Sequence, residues 1–224
     1  MTLFNQGHLS GSLDLKSVQT GLGGCIDGTL REYGVFDEHG LVDMPQNLNY
    51  LEGSTLVCAG LTAWSGLYGL KPLMPGDYVL TQGTGGVSIF ALQFAKAAGA
   101  KVIATTSSAA KAERLRQLGA DHVINYKETP NWGEEAKALT PGGVGVQHVI
   151  EVGGPGTMAQ SLKAIKIDGV ISLIGFVAAG GKEQPTFLDA LSNFCTVRGL
   201  LVGSREQFEA MVSRMMQSTV KGTC

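Results

Sequence analysis

Charge of either sign is scarce in this chain. Asp, Glu, Lys and Arg make up only 16% of its 224 residues, and the formal net charge is −2 with a pI near 6.1. No basic surface of the kind that neutralises phosphate backbones follows from that, so neither nucleic acid nor an anionic membrane is an expected partner. Cysteine is scarcer still. Cys25, Cys58, Cys195 and Cys224 stand far apart with no C-x-x-C pair, which argues against a disulfide framework or a structural zinc cluster and for a reducing compartment. The four histidines (His8, His39, His122, His148) lack metal-ligand spacing, so no metal site is expected. Long hydrophobic runs are missing too. The longest apolar stretch, around Val170 to Ala179, is broken by Ser172 and Gly175 and falls well short of the roughly 20 residues a membrane span needs. Met1 to His8 contains neither a basic nor an apolar region, so no signal peptide is expected and the cytoplasm is the expected location.

Glycine is what the chain has in excess. Its 32 glycines are about twice the usual share of roughly 7%, and they fall at turns and loop ends. From Asp77 onward, β-branched runs centred on Val79, Ile103, Val123, Ile150, Ile171 and Val197 alternate with helical patterns. That spacing predicts βαβ units and an α/β, Rossmann-type, doubly wound parallel sheet of six strands. Gly99 and Gly119 suit C′ positions that end the first two helices. Asn131-Trp132-Gly133-Glu134 and Ser204-Arg205-Glu206-Gln207 resemble capping boxes opening two later ones. Residues 1–50 differ: an alternating piece from Leu30 to Val35, a turn at Asp37 to Gly40 and a run from Leu41 to Pro45 predict a small, incomplete β segment. Leu51 to Leu70 reads as a connecting helix weakened by Gly60, Gly66 and Gly69.

Asp77 to Thr106 carries the most chemistry. A strand (Asp77 to Thr81) runs into Gly83-Thr84-Gly85-Gly86-Val87, then a helix, then a second strand (Lys101 to Thr105). Such a loop lets a phosphate approach the backbone, and the following helix N-terminus offers unpaired amides and a favourable dipole. Ser88 replaces the third fingerprint glycine, and the alternative is a plain glycine turn between strand and helix. Dinucleotide folds read the 2′ position of the adenosine ribose at the end of the second strand, where an acid pairs with a free hydroxyl. Here the chain has no acid but Thr106, Ser107 and Ser108, followed by Lys111 on the first helical turn. That combination predicts NADP(H) over NAD(H). The alternative is that Ser108 only caps the helix and Lys111 is solvated.

The chain resembles the medium-chain dehydrogenase/reductase superfamily, in its zinc-type alcohol dehydrogenase-like and quinone oxidoreductase-like branch. The matching pieces are Asp27 to Tyr33, Cys58 to Trp64, Pro75 to Leu80, Gly83 to Ser88, Leu118 to Tyr126, Val152 to Gly156, Gly169 to Phe176 and Val202 to Arg205, in family order. The resemblance implies that residues 1–50 are the C-terminal remnant of a GroES-like catalytic domain. Residues 51–217 would then be the linking helix and the dinucleotide-binding domain, and 218–224 a tail foreign to the family. It implies a chain shortened at both ends, with the substrate-side acid or base upstream and its identity unknown. It places adenine near Asn125 and Tyr126, and the nicotinamide half near Val152, Gly153, Gly175, Phe176, Val202 and Gly203. Glycines there would leave room for the ring. In zinc-dependent relatives a cysteine at the place of Cys58 is a zinc ligand, but the other two ligands would lie upstream, so the role of a small buried apolar residue on the linking helix is expected instead.

The function implied is a zinc-independent, NADPH-dependent oxidoreductase that transfers hydride between nicotinamide and a small-molecule carbonyl, quinone or activated alkene. Its expected assembly is a homodimer through the sixth strand. The rival is an inactive nucleotide-binding remnant acting through dimerisation. A methyltransferase on a similar sheet is disfavoured by the missing acid.

Overall fold

The structure, a computed structural model, describes residues 1–178, 180 and 185–216. Residue 217, the expected foreign tail at 218–224 (with Cys224) and Ala179 of the apolar stretch lie outside the described residues. The chain runs α1 (Leu15–Val18), α2 (Tyr50–Ser54), a π-helical turn (Leu56–Gly60) and α3 (Leu61–Tyr68), then β1 (Tyr78–Gln82), α4 (Gly86–Ala97), β2 (Lys101–Thr106), α5 (Ala109–Gln117) and β3 (His122–Asn125). It continues with α6 (Trp132–Ala138), β4 (Val146–Glu151), α7 (Met158–Ala164), β5 (Ile165–Leu173), α8 (Phe187–Ser192), β6 (Thr196–Gly199) and α9 (Arg205–Met216). All six expected strands form. They pair in parallel in the order β3-β2-β1-β4-β5-β6, the order of a doubly wound dinucleotide fold.

Both faces of the four inner strands are covered, which explains why those strands read as apolar runs. Val79, Val102, Ala104 and Ile150 pack with α3, α4 and α9 through Leu61, Leu67, Phe90, Phe94, Phe208 and Met211. Their neighbours Leu80, Ile103, Val149 and Ile171 pack on the other face with Trp132, Ala136 and Leu162 of α6 and α7. Trp64 meets Phe94 edge-on at 5.4 Å between ring centroids, locking α3 to α4.

Helix ends follow the sequence in three of four places. Gly99 (φ +77) and Gly119 (φ +100) are left-handed C′ residues, and the following amides of Ala100 and Ala120 reach back to the carbonyls of Ala95 and Leu115. The box at α9 is real: Ser204 Oγ accepts from Gln207 N, and Gln207 Oε1 accepts from Ser204 N. The box at α6 does not form. Asn131 makes no side-chain cap bond, because the Gly133 amide is taken from a distance by Gln160 Oε1 at 2.9 Å.

Residues 1–50 correct the expectation of a small β segment. They form only isolated bridges (Thr2 with Leu41, Asn5 with Gly21, Leu22 with Ile26), and Leu30, Tyr33 and Val35 are fully exposed in irregular backbone. An alternating pattern makes a strand only beside another edge, and no edge reaches it here. The turn at Asp37 forms as expected, with the Asp37 side chain capping His39 N. Leu3, Val42 and Leu48 anchor the segment in the main core. The connecting helix also departs from expectation, since it is interrupted by the π turn that carries Cys58.

Candidate functional site

A cavity of about 730 Å³ opens at the carboxyl ends of β1 to β4. This is the switch point, where successive strands leave β1 in opposite directions and ligands of such sheets bind. Gly83 forms its floor with φ +72, a left-handed value that favours glycine, and its amide donates to Thr105 O at 2.8 Å. A Cβ at Gly83 or Gly85 would meet nothing within 4 Å among the described residues, which leaves open space above the loop. Gly85 is the N-cap of α4 and offers no side-chain oxygen to the first amides of the helix. Those amides also lack intrahelical acceptors. Gly86 is needed for packing: its Cβ would lie 3.0 Å from Ala59 Cβ in the π turn. Thr84 and Val87 are half-buried beside it. Ser88 is buried and donates to Gln82 O at 2.6 Å, so the serine in the third fingerprint place fastens helix to strand. These residues fit a pyrophosphate.

Around the cavity the expected residues separate. Tyr126 lines it, half-exposed, whereas the Asn125 side chain closes its own turn by donating to Glu128 Oε1 at 2.5 Å and accepting from Lys127 N. Thr105 lines the cavity, Thr106 is buried with its carbonyl on Tyr126 N, and Ser107 and Lys111 lie at the surface beyond β2. Ser108 is the N-cap of α5 by position but makes no side-chain cap bond.

Val152 and Gly153 line the cavity. Their amides are turned inward, however, onto Gln82 Oε1 at 3.1 and 3.2 Å. The room left by Gly153 and Gly175 is filled by the chain itself: a Cβ there would strike the Thr157 side chain or, at 2.4 Å, Val152 O. Gly153 thus serves the tight turn of its own loop, and Gly175 the close approach of the loop after β5 to the loop after β4. Phe176 is exposed to solvent and is not among the cavity's lining residues. Val202 is buried at φ +53, and Gly203 lines a separate cavity of about 630 Å³ with Ser65 and Arg198.

Sequence reasoning missed the group that holds this wall. Glu151 is fully buried at the end of β4. Its Oε2 accepts from Gln82 Nε2 at 2.7 Å and from Ser161 Oγ; its Oε1 accepts from Gly153 N and Gly154 N, both at 2.9 Å, and from Thr157 Oγ1. The signal was present as a glutamine and a glutamate at the ends of strands otherwise buried on both faces, where polar side chains are the informative exceptions. Trp132, Thr157 and Gln160 complete the wall facing the glycine loop.

Zinc fits these residues poorly. Cys58 is an exposed free thiol, which corrects the buried role expected of it, and among the described residues no three His, Cys, Asp or Glu side chains gather as ligands. Nor, among the described residues, is any helix long and apolar enough to cross a membrane.

The model of a zinc-binding dehydrogenase family matches residues 86–217. A zinc-type alcohol dehydrogenase-like protein of Schizosaccharomyces pombe is 46% identical over 216 residues, covering 94% of this chain and 62% of that protein. An alcohol dehydrogenase of Rhizobium meliloti is 32% identical over 191 residues, covering 85% and 54%. Among solved structures, a putative alcohol dehydrogenase of Sinorhizobium meliloti 1021 superposes with a TM-score of 0.88 at 41% identity, covering 98% of this chain and 64% of that one. An NAD-dependent alcohol dehydrogenase superposes at 0.82 with 30% identity, covering 97% and 65%. The chain thus spans between half and two thirds of the length of these relatives, which are alcohol dehydrogenase-like oxidoreductases. By fold, glycine loop and family match, the chain belongs to the zinc-binding dehydrogenase family of the medium-chain dehydrogenase/reductase superfamily.

Proposed function

We propose that this chain is the nucleotide-binding part of an NADPH-dependent oxidoreductase of the zinc-independent type, acting on a small-molecule carbonyl, quinone or activated alkene. The observation that carries the proposal is the glycine loop at the switch-point cavity. Its open space over Gly83 and Gly85 and its uncapped helix start suit a pyrophosphate, and the cavity beyond, with Tyr126 on its lining, suits the adenosine. The chemistry such a cofactor supplies is hydride transfer; the protein orients it and excludes water. One solved relative is described as NAD-dependent, so the choice of NADPH rests on this chain's own residues. They are the hydroxyl of Ser107 and the cation of Lys111 at the surface beyond β2, with no acid closing that strand; Thr106 is buried and leaves the contact to them. Residues 51–217 are proposed as the dinucleotide domain and 1–50 as part of the catalytic one.

The assembly proposed is a homodimer through β6. That strand ends the sheet, carries no partner on its outer edge among the described residues, and has Val197 partly exposed. The function is tested by titrating NADPH and NADH by fluorescence, then following NADPH oxidation with a panel of quinones and enones. Binding with turnover supports the proposal. Binding without turnover leaves a nucleotide-binding protein, and tighter binding of NADH overturns the cofactor choice.

A further inference from the structure

The pair Gln82 and Glu151 joins the two halves of the cavity, and none of its polar atoms is spare. Gln82 precedes the glycine loop, and its main-chain carbonyl already holds Ser88 at the start of α4. Its carboxamide Nε2 donates to Glu151 Oε2 and, at 2.9 Å, to Ser161 Oγ, while its Oε1 accepts two amides of the wall. Turning that carboxamide over would set oxygen against carboxylate and NH₂ against two N–H groups, so the network admits one orientation. Glu151 faces five donors, from Gln82, Gly153, Gly154, Thr157 and Ser161. Those five donors engage both of its oxygens. Its main-chain carbonyl then holds the amides of Ile174 and Gly175, and the carbonyls of Val152 and Gly153 hold Val177 and Ala178. Glycine loop, β4 loop and β5 loop are therefore tied to one buried pair.

We propose that Gln82 and Glu151 are coupled positioning residues that set the wall of the dinucleotide cavity relative to the glycine loop. Neither needs to touch the cofactor through its charged or amide group, because every such group is already bonded within the protein. The binding consequence rests on the NADPH assignment, but the positioning itself does not.

The geometry makes a reciprocal exchange possible. In Glu151→Gln, one end of the new carboxamide faces donors with a donor, and in Gln82→Glu two carboxylates face each other across a hydrogen-bond distance. The double variant Gln82→Glu/Glu151→Gln removes both conflicts. Its carboxylate, now on β1, can accept the amides of Val152 and Gly153. Its carboxamide, now on β4, can donate to that carboxylate while accepting from Gly153, Gly154 and Thr157. Each single variant should weaken NADPH binding about tenfold or more, the scale of one lost charge-assisted bond. Each should also speed amide exchange at Gly153, Gly154 and Ala178, and the double variant should recover most of both.

The experiment measures NADPH dissociation constants and site-resolved hydrogen exchange in the wild type, the two singles and the double, well below their melting temperatures. Unchanged exchange in Glu151→Gln, or a double variant as defective as the singles, overturns the proposal. So does a lowered melting temperature with an unaltered dissociation constant in a wild type that binds NADPH. If a single variant fails to fold, refolding of the double supports the pairing and its failure to fold counts against it. If the wild type does not bind NADPH, the cofactor assignment falls, and the exchange measurements still decide the positioning.

Discussion

Acidification from pH 7 to 4 should remove about 3 kcal/mol of folding stability through one buried histidine. His148 sits on β4 between Val79 of β1 and Val170 of β5, 1% exposed, with no partner for either ring nitrogen among the described residues. Burial holds its pKa down to about 4 from the usual 6.5, with Asp77 opposing and Lys71 adding to the effect. Between those two values the unfolded chain takes up a proton that the folded chain refuses, so stability is lost as the pH falls from 6.5 toward 4. That gap corresponds to about 3 kcal/mol, a large part of the roughly 5–15 kcal/mol that holds a domain folded. The assay is urea unfolding of the wild type and His148→Leu at several pH values from 7 to 4. The wild-type stability should fall steeply across the interval and that of the leucine variant by about 3 kcal/mol less. At pH 7 the leucine variant should be at least as stable, because it replaces a polar ring left without partners. Parallel pH profiles for the two proteins would refute the reasoning.

Other expectations concern separate parts of the molecule. Gly85→Ala keeps an ordinary backbone and meets no atom within 4 Å, so its melting temperature should stay near wild type while NADPH affinity falls; equal loss of both would show a packing role. Lys111→Glu should reverse the NADPH/NADH affinity ratio, by about tenfold or more on the scale of about 1.5–3 kcal/mol per bond to a charged group, and an unchanged ratio would remove the 2′-phosphate assignment. For Asp121, burial raises the pKa, but Lys96, the Val102 amide and Lys101 outweigh it and bring it to about 2. Its contribution is therefore present above the usual carboxylate value of 3.8 and lost as the pH falls toward 2. Asp121→Asn should lower stability by about 1–3 kcal/mol at neutral pH and flatten the profile only in that acid range. Val197→Asp should leave the fold intact and, if β6 pairs across two copies, shift sedimentation from dimer to monomer.

What was legible in the sequence is what local chemistry decides. The inner strands β1, β2, β4 and β5 were readable because parallel strands buried on two faces are largely apolar, and the edge strands β3 and β6 because β-branched residues recur at the same spacing. Gly99, Gly119 and the Ser204–Gln207 box were readable because helix ends have few solutions. What failed depended on partners far along the chain. Asn131 is a good cap by type, yet Gln160 satisfies Gly133 instead. Leu30 to Val35 alternates like a strand without an edge to join. At the site, the glycine loop was readable as a turn opening a helix. That Gly175 exists for loop-on-loop contact was hidden, since Val152 O reaches it only in the folded chain. The pairing of Gln82 with Glu151, 69 residues away, was hidden for the same reason.

The most direct test of the central claim is an equilibrium titration of the chain with NADPH, following nicotinamide fluorescence, with NADH in parallel. Saturable binding of NADPH, tighter than NADH and weakened by Gly85→Ala, is the predicted result. No binding of either nucleotide at millimolar concentration would contradict it.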